Sequence, residues 1–235
     1  MLILAFETTA KSCSVALHDG RKLLAESYQN SGLTHSQTLM VMAQDLLKVC
    51  GRTAAEVTHL AVAAGPGSFT GVRIGVSAAK GFAWGAELPV YGVSTLEAMA
   101  ETLGVYQGYV CACMDARRNQ VYNGLFYANS GTLERYSEDR AIALADLKLE
   151  LEHLDGPIYL VGDGAELTYK TLSQDIPELI LPPEHRRHQR ASGVAIVAAK
   201  QAAAGVSADA NALTPNYLRL SQAERERMEK LTVDN

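Results

Sequence analysis

The strongest chemical signature in this chain is a run of glycines between positions 65 and 75, GPGSFTGVRIG. It follows an apolar stretch, residues 59–64, that is typical of a buried strand, and it precedes residues 70–84, whose composition is helical. A glycine-rich turn of this kind presents backbone N–H groups at the positive end of a helix dipole, where a phosphate can bind. The same glycines would also permit a tight turn and close packing.

The spacing of these glycines matches neither of two common phosphate-binding patterns. A P-loop requires G-x-x-x-x-G-K-[ST] and a dinucleotide fold requires G-x-G-x-x-G, whereas here Lys80 lies far along the helix. Gly71, Gly75 and Ala79 instead recur at i, i+4 and i+8, which gives the helix one side of small residues. Such a side lets another helix approach closely. We therefore predict helix packing as their main role, with phosphate binding as the alternative.

Carboxylates at strand ends form a second candidate site. Glu7 and Asp115 each end an apolar strand, and Gly162 and Gly164 lie in the turn after a third. In phosphotransferases a carboxylate at this place can hold Mg²⁺ or position water. The turn after Glu7, TTAKS, has no glycine to admit a phosphate. We favour a structural role and keep these four residues as a vestigial nucleotide cleft.

Other catalytic chemistry has little support. The only neighbouring histidines, His185 and His188, lie in an arginine-rich loop that is typical of a solvated basic patch rather than a zinc site. The four cysteines show no C-x-x-C spacing, which favours buried thiols. Ser68 does not stand in the G-x-S-x-G pattern of a nucleophile elbow. We expect no metal site and no cofactor of the chain's own.

The bulk composition is that of an ordinary globular protein. The chain has 235 residues, of which 48% are hydrophobic and 20% charged, which suits one large or two small domains. A net charge of −5 argues against strong unassisted binding to nucleic acid. No stretch approaches the ~20 apolar residues of a membrane span, and the apolar start is too short for a signal peptide. We expect a cytoplasmic protein with no membrane contact.

The order of elements indicates an α/β fold built from two similar units. Each unit opens with an apolar strand that ends in a carboxylate, followed by a polar turn and a second strand. We place the units at 1–104 and 105–220, with a charged tail at 221–235 and a helix at 191–205 that packs back on the first unit. The other expected strands are 2–7, 13–18, 22–28, 59–64, 89–92, 109–115, 121–127 and 158–161. The other expected helices are 34–50, 70–84, 94–103, 145–154 and 166–174.

The glycine segment resembles the signature of the bacterial TsaB (YeaZ) family. Further matches come in the family's order and cover nearly the whole chain. Glu7 departs from the family, which more often has aspartate there, and this further weakens a metal–phosphate site. The supporting segments are ILAFETT at 3–9, LTHSQ at 33–37, DAR at 115–117, GDG at 162–164 and PNYLR at 215–219.

This resemblance implies a duplicated actin/Hsp70/sugar-kinase-like (ASKHA) fold of two lobes, each with a mixed sheet flanked by helices. It also implies a role in making threonylcarbamoyladenosine next to the anticodon of tRNA. In that system a related subunit, TsaD, transfers threonylcarbamoyl from its adenylate to the adenosine N6, and the ATPase TsaE joins the assembly. The resemblance implies that this chain is a non-catalytic partner, that ATP and metal bind to the other subunits, and that tRNA is met only through the complex.

The resemblance further implies that helices 34–50 and 70–84 dock on TsaD, or on a second copy when the chain is alone. On this hypothesis Gly75→Leu abolishes pairing with TsaD while the monomer stays folded. One alternative is an independent ATPase or phosphotransferase that holds Mg-ATP in the cleft, and another is a peptidase, for which the sequence offers no nucleophile–base pair. The candidate interface residues are Leu39, Met40, Met42, Gly71, Gly75 and Ala79.

Overall fold

A computed structural model describes residues 1–219, and it contains two mixed β-sheets. In the first sheet the strand order is β3-β2-β1-β4-β5. Strands β1, β2 and β3 form an antiparallel meander, whereas β4 and β5 run parallel to β1. The elements of this half are β1 (Ile3–Glu7), β2 (Cys13–His18), β3 (Leu23–Gln29), α1 (His35–Val49), β4 (His59–Gly65), α2 (Phe69–Trp84), β5 (Val90–Ser94) and α3 (Thr95–Leu103).

The second sheet repeats this topology. Its order is β11-β10-β6-β7-β8, with β9 also paired to β7, so that β6 takes the place of β1 and β10 the place of β4. This repeat confirms the predicted duplicated two-lobed α/β fold. The elements are β6 (Gly108–Asp115), β7 (Gln120–Asn129), β8 (Thr132–Arg135), β9 (Arg140–Ala143), α4 (Leu144–Leu151), β10 (Ile158–Val161), α5 (Ala165–Leu172), β11 (Leu179–Ile180) and α6 (Ala191–Ala203).

Helices cover both faces of each sheet, which explains why the central strands are mainly apolar on both sides. Every residue of β1 is buried. On one face of the first sheet, Leu4 and Phe6 pack with α1 and α2. On the other face, Ile3 and Ala5 pack with α6. Helices α4 and α5 cover the outer face of the second sheet in the same way.

The helices α3 and α6 lie between the two sheets. Helix α3 packs against β6 and β7 of the second sheet, while α6, at the far end of the described chain, packs against the strands of the first. The two helices also contact each other, and a side chain at Gly193 would collide with the Ala98 carbonyl. Two helices of this chain, α3 and α6, therefore approach each other closely at Gly193.

The strands β8, β9 and β11 were not predicted from the sequence. Each has only two to four residues, which is too short to show an alternating or apolar strand pattern. Among residues 1–219 no helix has the length and apolar character to cross a bilayer. The charged tail predicted at 221–235 falls beyond the last residue that the structure describes.

Candidate functional site

A cleft of about 570 Å³ opens where the two lobes meet. Its walls are the turn after β1, the glycine segment before α2 and the turn after β6, because the carboxyl ends of β1, β4 and β6 all point toward this region. Residues 216–219, from the C-terminal segment, close one side. The polar and aromatic residues that line the cleft include Lys11, Ser68, Phe69, Asp115, Arg117, Tyr122, Asp163, Asn216, Tyr217 and Arg219.

Glu7 is completely buried and does not line this cleft. Its Oε1 accepts hydrogen bonds from the Thr9 backbone N–H at 2.6 Å and the Thr9 hydroxyl at 2.7 Å. Its Oε2 has no hydrogen-bond partner among the described residues. Burial raises the pKa of Glu7 to about 7, against the lowering effect of the Thr9 hydrogen bonds. The carboxyl group thus shapes the turn after β1 and is not part of the cleft wall.

Asp115 does line the cleft and is exposed. Its Oδ1 accepts a hydrogen bond from the Arg117 backbone N–H at 2.7 Å, which organises the turn between β6 and β7. Arg117, Arg118 and Asn119 in this turn all have positive φ, between 56° and 66°. Non-glycine residues rarely adopt this region, so three in succession form a distinctive turn.

Asp163 is a second cleft carboxylate, and it was not among the candidate site residues chosen from the sequence. It lies between Gly162 and Gly164 and accepts a hydrogen bond from Gln189 Nε2 at 3.0 Å. Burial raises its pKa. The signal was present, since Asp163 lies two residues after the strand Ile158–Val161, close to the position that Glu7 and Asp115 have at the ends of their strands. Within residues 1–219, no three His, Cys, Asp or Glu side chains are grouped as metal ligands.

The glycines of the segment 65–75, for which phosphate binding was the alternative to close packing, are in contact with the chain's own backbone. A Cβ at Gly65 would lie 2.5 Å from the Asn216 carbonyl oxygen, and one at Gly67 would lie 2.6 Å from the Thr9 carbonyl oxygen. The Ser68 hydroxyl accepts the Gly71 N–H at 3.3 Å and so caps α2. The predicted role in close packing fits these contacts.

The glycines flanking Asp163 also serve internal packing. A Cβ at Gly164 would lie 2.9 Å from the Asp115 backbone nitrogen, and one at Gly162 would collide with the Cys113 carbonyl. Neither glycine lines the cleft. This corrects the hypothesis that they belong to the wall of a nucleotide site: they let the turn after β10 press against the end of β6.

The small-residue side of α2 faces the core, which corrects the hypothesis that it docks a partner. Gly71, Gly75 and Ala79 are all buried. A Cβ at Gly75 would lie 2.5 Å from Thr8 Oγ1 and 3.1 Å from Val62. The sequence pattern correctly indicates a close neighbour, but this neighbour is the turn after β1, at Thr8, together with Val62 of β4, and not a second helix.

The outward side of α1 and α2 forms a shallow, mainly apolar groove of about 540 Å³, here called the α1/α2 groove. Of the predicted interface residues, Met40 lies in it and is 42% exposed. Leu39 reaches its floor but is only 1% exposed, and Met42 packs half-buried against the core. The groove is lined by Ser36, Leu39, Met40, Phe69, Thr70, Arg73, Ile74, Ser77 and Ala78.

Arg73 is the charged residue of this groove, and aromatic rings hold it in place. Its guanidinium carbon lies 3.8 Å from the centre of the Phe69 ring. Its Nε donates to the Tyr217 hydroxyl at 2.9 Å, and the Tyr217 ring stacks on Phe69 at 4.7 Å. Among residues 1–219, no carboxylate forms a salt bridge with Arg73. The groove therefore presents one oriented cation beside apolar surface.

The basic run at 185–190 makes contacts within the chain. Arg186 donates to the Leu103 carbonyl at 3.2 Å at the end of α3. Arg190 forms a salt bridge of 3.1 Å with Glu26 in β3. These arginines help to attach the connection before α6 to the first lobe, and their guanidinium groups are correspondingly less available to nucleic acid.

Comparison with known proteins places the chain in a family. The family model for TsaD, tRNA N6-adenosine threonylcarbamoyltransferase, matches residues 27–227. The "tRNA threonylcarbamoyladenosine biosynthesis protein TsaB" of Bacillus subtilis is 34% identical over 226 residues, which cover 95% of this chain and 96% of that protein. The chain belongs to the TsaB (YeaZ) family. The TsaB protein of Escherichia coli is 37% identical over 167 residues, 70% of this chain and 72% of its own.

Solved structures agree with this TsaB assignment. YeaZ from Pseudomonas aeruginosa superposes with a TM-score of 0.73 at 28% identity, over 92% of this chain and 99% of that one. Component A of the (R)-2-hydroxyglutaryl-CoA dehydratase of Acidaminococcus fermentans has a TM-score of 0.51 at 11% identity, over 86% and 99% of the two chains. At that identity the likeness concerns the fold alone. The assignment to the TsaB family and to the ASKHA-like fold made from the sequence is confirmed.

Proposed function

We propose that this TsaB-family chain is a non-catalytic subunit in the synthesis of threonylcarbamoyladenosine in tRNA. Its partners are a TsaD-like transferase, which moves threonylcarbamoyl from threonylcarbamoyl-AMP to the adenosine N6 beside the anticodon, and a TsaE-like ATPase. ATP and metal bind to those subunits, and the complex works in the cytoplasm. The names of the relatives support the pathway, and the match to the TsaD family model supports a TsaD-like fold.

The main observation that supports a non-catalytic role is that Glu7 is buried and hydrogen-bonded within the chain. A carboxylate at the end of the first strand would have to reach a ligand in order to hold Mg²⁺ or orient water. Here it is fully buried and bonded to Thr9, and burial raises its pKa to about 7. The space beside the glycines that could admit a phosphate is occupied by the backbone at Thr9 and Asn216.

The α1/α2 groove supports a role through contact with a partner. Met40 and Ile74 provide apolar surface, and Arg73 provides a fixed cation that a partner carboxylate can meet. Apolar centres with an arginine anchor are typical of protein interfaces. The same surface would serve self-association when the TsaD-like partner is absent.

The charges of this chain favour contact with tRNA only through the complex. The net charge is −5, and arginines of the basic run pair with groups of this chain. Electrostatic attraction to the RNA backbone is then weak for the isolated chain. We propose that other subunits supply the contacts with tRNA.

A reconstituted reaction tests this proposal. TsaD, TsaE, threonylcarbamoyl-AMP and tRNA are incubated with and without this chain, and the modified nucleoside is measured. We expect modification only when the chain is present, and normal modification with an Asp115→Asn variant. Loss of activity in that variant, with assembly intact, would instead indicate chemistry in this chain's own cleft.

An independent ATPase is the second candidate, because the cleft of about 570 Å³ has both Asp115 and Lys11 on its walls. Calorimetry of the isolated chain with Mg-ATP distinguishes the two. Micromolar affinity that Asp115→Asn abolishes would favour the ATPase, whereas the absence of heat at millimolar nucleotide agrees with the non-catalytic proposal.

A further inference from the structure

The C-terminal segment 213–219 contacts both lobes of the protein. Leu213 is buried in the core of the first lobe beside Gly92, where a Cβ would lie 2.6 Å from Leu213 Cδ1. Three residues later, the Asn216 backbone N–H donates to the Ala64 carbonyl at 2.7 Å. The chain is thus attached along the edge of β5 and the end of β4 before it reaches the cleft.

The same segment then crosses the cleft to the second lobe. The Arg219 guanidinium donates to the Ala116 carbonyl at 2.6 Å, in the turn directly after β6. Asn216, Tyr217 and Arg219 line the cleft on the way. A hydrogen bond from a charged donor to a carbonyl is among the stronger single contacts that a surface segment can make.

Tyr217 connects this crossing to the outer side of α2. Its ring stacks on Phe69 and its hydroxyl accepts the hydrogen bond from Arg73 Nε at 2.9 Å. Phe69 lines both the cleft and the α1/α2 groove. One aromatic stack is therefore shared by the groove, the cleft and the segment between the lobes.

We propose that residues 213–219 act as a clasp that holds the lobes closed over the cleft, and that the stack of Tyr217, Phe69 and Arg73 couples this clasp to the outer side of α2. When the clasp is attached, the cleft mouth is narrowed and Arg73 is oriented. When it detaches, the cleft opens and Arg73 loses its fixed position. The clasp is a property of this chain alone and stands whether or not the proposed function is correct.

Hydrogen exchange of the full chain, read by mass spectrometry, tests the clasp. Exchange of protected amides reports local opening. We expect Arg219→Ala to accelerate exchange at the Asn216 amide by about tenfold or more, from the loss of a charged hydrogen bond. The peptide covering 114–119 in the second lobe should also exchange faster, while β4 stays protected. Arg21→Ala, which changes an exposed arginine on the first lobe, serves as the matched control and should leave these rates unchanged.

Two further variants test the coupling. Tyr217→Phe keeps the ring and removes the hydroxyl that accepts a hydrogen bond from Arg73. It should therefore raise the exchange rates at Asn216 and at 114–119 less than Tyr217→Ala does. Phe69→Ala should accelerate exchange at 114–119, although Phe69 belongs to the first lobe. If Phe69 acted only within the first lobe, the exchange rate of that peptide would not change in Phe69→Ala. Unchanged exchange at both Asn216 and 114–119 in Arg219→Ala and Tyr217→Ala would overturn the proposal.

Discussion

The Thr8 hydroxyl donates a hydrogen bond to the Gly71 carbonyl at 2.7 Å, across 63 positions of the sequence. The Thr8 carbonyl lies in the space that a Gly71 side chain would need. The turn after the first strand is thereby pressed against the first turn of α2. This contact explains why position 71, in the first turn of α2, is glycine although alanine would be the better helix former.

We predict that Gly71→Ala destabilises the fold by about 2 kcal/mol, because its Cβ would overlap a backbone carbonyl that cannot move aside easily. Gly81→Ala is the matched control on the same helix, since nothing lies within 4 Å of its added Cβ. It should stabilise the fold by up to about 1 kcal/mol. Urea unfolding of both variants measures the difference, and equal stabilities would contradict the contact.

The same reasoning applies to Gly75→Leu. The sequence suggested that this change would block pairing and leave the monomer folded. With Thr8 and Val62 already in contact with Gly75, we now expect a loss of folded protein. The variant is therefore unsuited to testing the interface.

Most of the fold could be predicted from the sequence, because long apolar runs and helical periodicity mark its central elements. The small side of α2 was recognised from Gly71, Gly75 and Ala79, but periodicity identifies a face and not its neighbour. That neighbour, Thr8, is distant in sequence. Short strands such as Arg140–Ala143, with four residues, are too brief to show a strand pattern, so their pairing depends on the tertiary fold.

The candidate site was predicted less completely. Asp115 lies on the cleft wall as a strand-end carboxylate, whereas Glu7 is turned inward by its bonds to Thr9. Gly162 and Gly164 were predicted as site residues from the sequence, whereas Asp163, which lies between them and lines the cleft, was not. The role of Tyr217 requires the path of the C-terminal segment, which no local pattern in the sequence determines.

The α1/α2 groove provides a second prediction. Met40→Glu combined with Ile74→Glu should weaken association with the TsaD-like partner at least about tenfold, since charges would replace apolar contact at its centre. Leu149→Glu changes an exposed leucine in the second lobe and should not affect association. Analytical ultracentrifugation or calorimetry provides the affinities. Unaltered binding by the double variant would place the interface elsewhere.

Burial of Glu7 leads to a third prediction, on the pH dependence of stability. Because the pKa of Glu7 is about 7 in the folded protein, against an ordinary value of 4.5, the folded state holds a proton that the unfolded state has released in this window. The free energy of unfolding should therefore fall as pH rises from about 4.5 to 7 and then level off. From pH 5 to pH 8 the loss from this group is about 2 to 3 kcal/mol.

Glu7→Gln should remove this part of the pH dependence, because the amide can still accept from Thr9 and never ionises. Denaturant unfolding at pH 5 and pH 8 for both proteins gives the comparison. Burial also raises the pKa of Asp163, so this residue likewise lowers the free energy of unfolding as pH rises. It is present in both proteins and contributes equally to each. Identical pH dependence of the two proteins would mean that Glu7 ionises normally.

The most direct measurement is the rate of threonylcarbamoyl transfer to tRNA by TsaD and TsaE with this chain, without it, and with Asp115→Asn in its place. We predict no appreciable transfer without the chain and a rate within about twofold of the normal one with the variant. Transfer that proceeds without the chain, or that Asp115→Asn abolishes while the complex still assembles, would contradict a required but non-catalytic subunit.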